Sequence, residues 1–314
     1  MIVTVTVNPA MDKTAEIDRL CPRALNRLDG VVSDVGGKGI NVSKTIAALG
    51  RQSVACGFLA GQTGQSIRQT LLDWPGGGIR PDFLTVPGET RTNLKLVEPG
   101  GELTELNEQG PHISQESLDA LTAKLEGYAA PGTLFVLAGS VGPGVPPEFY
   151  RNLTLRLKQK GAKVFVDADG PLFAHALEAV PDIIKPNAFE LTQYFGLDHT
   201  PDEKELIGLG RTLAGRGVGL VCISRGGQGA CFIQGDRVWN APVIQVAARS
   251  TVGAGDAMVA AIVCGVDEGL PMEDCLRLAM AVSAGAVTTR GTCPPDLETV
   301  HALEARVRLS ELAT

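Results

Sequence analysis

The sequence predicts an α/β protein built on a mostly parallel sheet, and three observations lead there. Strand-like and helix-like periodicities alternate along nearly all of the 314 residues, the pattern of repeated strand–helix–strand units. The stretch 134–138 (Leu-Phe-Val-Leu-Ala) is continuously apolar, as in a strand covered on both faces. Hydrophobic residues make up 44% of the chain and aromatics only 4%, so the core must be aliphatic. The 38 glycines, many paired at turns, suit tight strand-to-helix loops.

Residues 2–7 alternate as a strand, and 39–49 form an amphipathic helix stopped by Gly50. A strand at 53–58 and helices at 63–74 and 114–125 follow, then the apolar strand 134–138. Residues 147–159 read as a helix with proline in its first turn. Strands follow at 164–167 and 182–184, a short helix at 188–195, a helix at 202–214 and a strand at 220–224. Segments 230–234 and 237–241 read as a hairpin turning at Gly235-Asp236. Helices at 254–268 and 272–288 close the pattern. Segments 14–35 and 89–106 break it: both are polar and helix-free, with period-two apolar spacing as in Thr92-Asn93-Leu94-Lys95-Leu96-Val97. They are expected to form a small β lid, about 12–35 and 89–107, on a single domain spanning 1–314. Residues 74–78 read as a loop, not as a linker between domains.

The net charge of -7 argues against general nucleic-acid binding, which needs a basic face. The N-terminus shows neither the basic start nor the cleavage site of a signal peptide. The most apolar stretch, 257–266, is too short to span a bilayer. The seven cysteines include no C-x-x-C pair and read as reduced, mostly buried thiols. A cytoplasmic protein without membrane or nucleic-acid partners is the expectation. The four histidines have no metal-ligand spacing.

The sharpest feature is Ser250-Thr251-Val252-Gly253-Ala254-Gly255-Asp256, running into the apolar stretch 257–263. A stretch apolar on every side predicts a buried helix. Its start exposes unpaired N–H groups and the positive end of the dipole, and backbone without side chains at Gly253 and Gly255 can approach a phosphate. Asp256 falls in the first turn. Spacing alone leaves it either a complement to the dipole or a base beside a transferred phosphoryl group. A second run, Gly36-Gly37-Lys38-Gly39-Ile40-Asn41, precedes another helix. It is either a plain turn with a solvated lysine, or a cradle in which Lys38 meets an anion and Asn41 meets sugar hydroxyls. No Walker A loop occurs in the chain, and the Gly253–Asp256 run is not a dinucleotide fingerprint, because the third glycine is absent.

Together with Asn8-Pro9-Ala10-Met11-Asp12, Lys185-Pro186-Asn187 and Glu190, these runs stand in the order and spacing of the PfkB (ribokinase-like) carbohydrate kinases, which the whole chain resembles. Thr90-Arg91-Thr92-Asn93 and residues 104–111 resemble the branch holding 1-phosphofructokinase and tagatose-6-phosphate kinase, closest to the former. The resemblance implies a ribokinase-like three-layer α/β/α sandwich. It implies ATP-dependent phosphorylation of fructose 1-phosphate at its 6-hydroxyl, with tagatose 6-phosphate or fructose 6-phosphate as the alternative acceptor. ATP, Mg²⁺, a monovalent cation such as K⁺, and a homodimer joined through the lid are implied with it.

Position by position, the resemblance makes Asp256 the general base and Gly253, Ala254 and Gly255 the anion hole. Lys185 and Asn187 would contact the ATP phosphates, and Glu190 would organise Mg²⁺ through water. Ser224, Arg225, Gly226, Gly227 and Gly229 match the nucleotide loop, with Met280 and Ala284 flanking the adenine. Asp12, Gly37, Lys38 and Asn41 would bind the sugar, joined by Arg27, Arg91 and Asn93 from the lid and Ser140 from a facing loop. Ser250, Val252 and Gly291 would hold the monovalent cation. Plain alternatives remain: Asp12 capping a turn, Lys185 on the surface, Glu190 as a first-turn acid, Arg27 and Arg91 as surface charges, Met280 and Ala284 as core. A non-catalytic sugar-phosphate sensor on the same fold is the reading from a different class.

Overall fold

The computed structural model describes residues 1–100 and 102–312. The chain begins with β1 (Ile2–Thr6), β2 (Ala10–Glu16) and β3 (Asp29–Gly36), then α1 (Lys38–Ala48), β4 (Ser53–Ala60) and α2 (Gly61–Leu72). Short strands β5 (Ile79–Pro81) and β6 (Leu84–Val86) lead to β7 (Arg91–Val97), β8 (Leu103–Asn107) and α3 (Gln115–Tyr128). Next come β9 (Leu134–Ala138), α4 (Phe149–Gln159), β10 (Lys163–Asp167), α5 (Gly170–Glu178), β11 (Ile183–Ile184), α6 (Ala188–Phe195) and α7 (Glu203–Gly215). The C-terminal part holds β12 (Leu220–Ser224), β13 (Ala230–Gln234), β14 (Arg237–Ala241), α8 (Ala254–Glu268), α9 (Met272–Val287), α10 (Leu297–Glu304) and β15 (Ser310–Glu311).

Among the described residues the strands form two sheets. The larger runs β15-β14-β13-β12-β11-β10-β9-β1-β4-β5, with β6 also on β4. It is parallel from β5 to β12 and antiparallel only through β13, β14 and β15. Period two sorts its side chains. Val3, Val5, Phe135, Leu137, Val164 and Val166 pack with α3 to α7 on one face. Ile2, Leu134, Val136 and Phe165 pack with α1, α8, α9 and α10 on the other. The result is the three-layer α/β/α sandwich of the ribokinase-like fold.

The smaller sheet, ordered β3-β2-β7-β8, draws on both segments that broke the helix–strand alternation. Its central pair, β2 and β7, is parallel. The boundaries differ from expectation: the first strand begins at Ala10, and residues 17–28 carry no strand. Helix 147–159 begins at Phe149 instead, because Glu148 is its N-cap and the prolines precede it. Strands β5, β6 and β15 and helices α5 and α10 are additions to the expected list. No helix of the described residues is long and apolar enough to cross a membrane. All seven cysteines are free, five of them buried.

Candidate active site

In a parallel sheet all carboxyl ends lie along one edge, and the crevice opens where strand order reverses. Here that point is β1, flanked by β9 and β4. The edge collects Asn8 after β1, Gly139 and Ser140 after β9, Asp167 ending β10, Lys185 after β11 and Ser224 ending β12. The Asn187–Ser224 bridge extends the ladder there.

Two helix N-termini meet at this edge. Helix α8 starts from Gly253, whose φ of 86° lies in the left-handed region, and no side chain caps its first amides. Helix α1 starts from Gly37 at φ 112°, again without a side-chain cap. Glycine tolerates both angles where other residues would strain. Lys185 Nζ lies 3.2 Å from where a Cβ on Gly255 would stand, so an ammonium faces the bare α8 amides. Asp256 is buried, and Asn41 Nδ2 donates to its Oδ2 at 2.8 Å. Burial first, and the neighbouring Asp167 carboxylate second, push the Asp256 carboxyl up to about 6, against the pull of Asn41, Lys38 and Lys185.

Sequence reasoning missed Asp167. Its carboxylate is buried at the end of β10, 3.3 Å from Lys38 Nζ and 3.4 Å from Lys185 Nζ. Burial opposes its charge, yet the two lysines hold its carboxyl below the usual carboxylate range. Burial likewise works against the Lys38 ammonium, which Asp167, then Asp256 and Glu190, keep above the ordinary lysine value. The available signal was an acid at the carboxyl end of an otherwise apolar strand. Lys185 is buried, not a surface lysine. Asn187 and Glu190 form a capping box on α6: Asn187 Oδ1 accepts from Glu190 N, and Glu190 Oε2 from Asn187 N, both at 2.8 Å. Burial raises the Glu190 carboxyl above its ordinary value.

On the small-sheet side, Asp12 caps no turn. It lies in β2, accepts from Asn93 Nδ2 at 2.9 Å and pairs with Lys95 at 3.0 Å. Lys95 is a second residue the sequence reading passed over. Asp12 abuts the Gly36–Lys38 run, its Oδ2 2.6 Å from where a Cβ on Gly36 would stand. Arg91, half-buried, donates Nε to Asn8 O and Nη1 to Glu108 O. Ser140 is exposed beside Lys38, whose Cβ lies 3.6 Å from a Cβ placed on Gly139. Arg27 is exposed on the 17–28 segment and makes no hydrogen bond or ion pair among the described residues.

Along the same edge, Ser224 to Gly229 form the end of β12 and a 3-10 turn at Gly226–Gln228. The Arg225 guanidinium pairs with Glu203, Asn240 Oδ1 at 2.6 Å and Gln228 O at 3.2 Å, while its buried Nε has no partner among the described residues. Met280 and Ala284 are buried in the core that α9 shares with α8. Arg249 N and Ser250 N both donate to Val287 O, and Val252 N donates to Ser250 Oγ, which ties the 249–252 segment to the end of α9, just before Gly291.

Residues 6–300 match the family model for pfkB family carbohydrate kinases. The chain belongs to the pfkB family of carbohydrate kinases. It is 38% identical over 287 residues to the 1-phosphofructokinase of Xanthomonas campestris pv. campestris, covering 90% of this chain and 89% of that one. It is 32% identical to the D-tagatose-1-phosphate kinase of Bacillus licheniformis over 99% of this chain and 100% of the relative. Escherichia coli phosphofructokinase-2 in complex with potassium superposes with a TM-score of 0.90 at 26% identity, covering 97% and 98% of the two chains.

For a pfkB kinase the donor set can be tested against a divalent ion. Among the described residues no group of three metal-ligating side chains exists. Magnesium binds through one or two carboxylates plus phosphates and waters and does not need such a cage. Asp167 Oδ2 is buried without a hydrogen-bond partner, so a hydrated cation beside Asp167 and Glu190 fits the residues present.

Proposed function

We propose that this kinase transfers the γ-phosphoryl group of ATP to the 6-hydroxyl of fructose 1-phosphate, giving fructose 1,6-bisphosphate and ADP. The observation that carries the proposal is Asp256, a buried acid held by Asn41 at the uncapped start of α8, with Lys185 across from the same amides. Phosphoryl transfer asks for positioning and charge stabilisation more than covalent help. In this reading Asp256 takes the proton of the 6-hydroxyl as its oxygen bonds to the γ-phosphorus, and the bond to the β-phosphate oxygen breaks with its electrons going to ADP. The amides of Gly253, Ala254 and Gly255 and the Lys185 ammonium hold the phosphoryl oxygens in flight, each good donor contributing on the order of 10²- to 10³-fold. Mg²⁺, when bound, neutralises charge on the β- and γ-phosphates; Asp167 and Glu190, through water, would hold it. Asn187 and the backbone of Ser224 to Gly229 cradle ATP, with Met280 and Ala284 beneath the adenine.

Lys38, Arg91 and the Asp12–Asn93 pair recognise a sugar that carries a phosphate at one end and a primary hydroxyl at the other. That chemistry also suits tagatose and fructose phosphates of the opposite polarity. Steady-state kinetics with fructose 1-phosphate, tagatose 1- and 6-phosphates and fructose 6-phosphate tests the assignment. The expected outcome is the highest kcat/KM for fructose 1-phosphate, and a higher value for any other removes the assignment.

In this reading the small sheet is a lid that excludes water as a competing acceptor. It leaves Leu25, Val31, Val32, Leu103 and Leu106 exposed, and edge strands of this kind invite pairing. A lid-to-lid homodimer covers them and offers the exposed Arg27 a partner surface. Sedimentation at micromolar concentration should give twice the chain mass, and Val32→Glu with Leu106→Glu should halve it. A wild-type monomer overturns the dimer. A monovalent cation at Ser250, Val252 and Gly291 completes the proposal, supported by the potassium complex of the Escherichia coli relative.

A further inference from the structure

The buried lysine of α1 has no part in the chemistry above. Lys44 is 0% exposed, yet its ammonium is fully engaged. It donates to Asp34 Oδ1 and Oδ2 at 3.0 Å each, to Val35 O at 3.1 Å and to Thr292 Oγ1 at 3.0 Å, and lies 5.5 Å from the Trp74 ring centre. The Thr292 hydroxyl in turn donates to Asp34 Oδ2 at 2.6 Å. Three protons serve the carboxylate, the carbonyl and the hydroxyl, so the ammonium has no donor left over.

The partners belong to different parts of the molecule. Asp34 and Val35 end β3, the strand through which the small sheet passes into the Gly36–Lys38 run. Thr292 backs the anion hole, its Cα 3.4 Å from where a Cβ on Gly253 would stand. Lys44 follows Asn41 by three residues, so both emerge on one face of α1. Asn41 grips Asp256 and Lys44 grips the support of Gly253. Removing Lys44 alone would strand the Asp34 carboxylate and lower stability whatever its role, so stability by itself does not separate a structural lysine from a positioning one. What an apolar side chain cannot do is hold two separate elements in one fixed register.

We propose that Lys44 is a positioning residue that locks the base of the small sheet to the anion-hole loop through Asp34 and Thr292, so that lid position sets the placement of the Gly253–Gly255 amides. The inference rests on the lid and anion-hole reading above. Displacing β3 removes the acceptor of the Thr292 hydroxyl, which releases the loop behind Gly253. Misplacement of this kind, remote from the reacting atoms, costs up to about 10²-fold in rate.

The test uses the full chain with ATP and fructose 1-phosphate. Thr292→Val keeps shape and drops the hydroxyl, and Lys44→Met keeps length and drops the charge. Expected are a roughly tenfold loss of kcat in Thr292→Val and on the order of 10²-fold in Lys44→Met, with the ATP KM within about twofold of wild type. The double variant should be no slower than Lys44→Met alone, the mark of residues acting as one unit. Should Lys44→Met fail to fold, the Asp34→Asn and Thr292→Val pair carries the same cycle. Full kcat in Thr292→Val, losses that multiply independently, or a lowered Tm with unchanged kcat each overturn the inference. Asp256→Asn is run alongside: near-normal turnover there removes the anion-hole reading itself, a failure distinct from that of Lys44.

Discussion

Asp256→Asn should fold and bind ATP, lose roughly 10²- to 10⁴-fold in turnover, and melt at a higher temperature than wild type at pH 8. The two effects share one cause. Burial, then the Asp167 charge, raise the Asp256 carboxyl from its ordinary 3.8 to about 6. The unfolded chain releases that proton near the ordinary value. Below it, both states are protonated and the acid costs nothing. As pH rises through about 6 the folded protein must keep a desolvated carboxylate, so the stabilising contribution of the bound proton is lost. Asparagine escapes this cost. A shift of about two units corresponds to at most on the order of 3 kcal/mol. The gap in Tm between variant and wild type should therefore be wide at pH 8 and close near pH 4. Wild-type kcat/KM for the sugar should show an acid limb near pH 6, since only the ionised form can take a proton. Near-normal turnover in the variant, or a Tm gap independent of pH, would remove Asp256 from its role.

What was legible in the sequence was what local periodicity decides. Helices 188–195 and 254–268 and the strands 230–234 and 237–241 have the expected bounds because caps and turns lie within a few residues of them. Helix α5 was not among the expected elements, although Leu172, Phe173, Ala176 and Leu177 carry the spacing and a proline stands at the helix start. The Gly253–Asp256 and Gly36–Asn41 runs were legible because a bare helix start needs glycine in sequence. The ties between them were not. Asn41 meets Asp256 across 215 residues, and Lys44 meets Thr292 across 248. Asp167 looked like the end of a strand, since its meaning comes from two lysines that neighbouring strands and a helix deliver.

That acid supplies the second large effect, opposite in sign for stability. Asp167→Asn should lose on the order of 10²-fold or more in turnover and melt at a lower temperature than wild type at neutral pH. Asp167 is buried between Lys38 and Lys185, and despite burial those lysines hold its carboxyl below the usual range. A depressed carboxyl stabilises the fold above its unfolded value, and that stability is lost as pH falls through the folded one. Removing the charge at pH 7 takes from both ammonium groups the carboxylate they share, the costly way to break a buried pair, about 3 kcal/mol or more. Lys185 then drifts from the α8 amides, and the phosphoryl oxygens lose both a donor and its alignment. The same substitution removes the second-largest push on Asp256 and leaves it with the pull of both lysines. The acid limb of kcat/KM should consequently move below the wild-type value near 6, even as the maximum falls. A limb that stays in place or moves upward would mean the two carboxylates do not sense each other, and a variant as stable as wild type would mean the lysines are neutralised elsewhere.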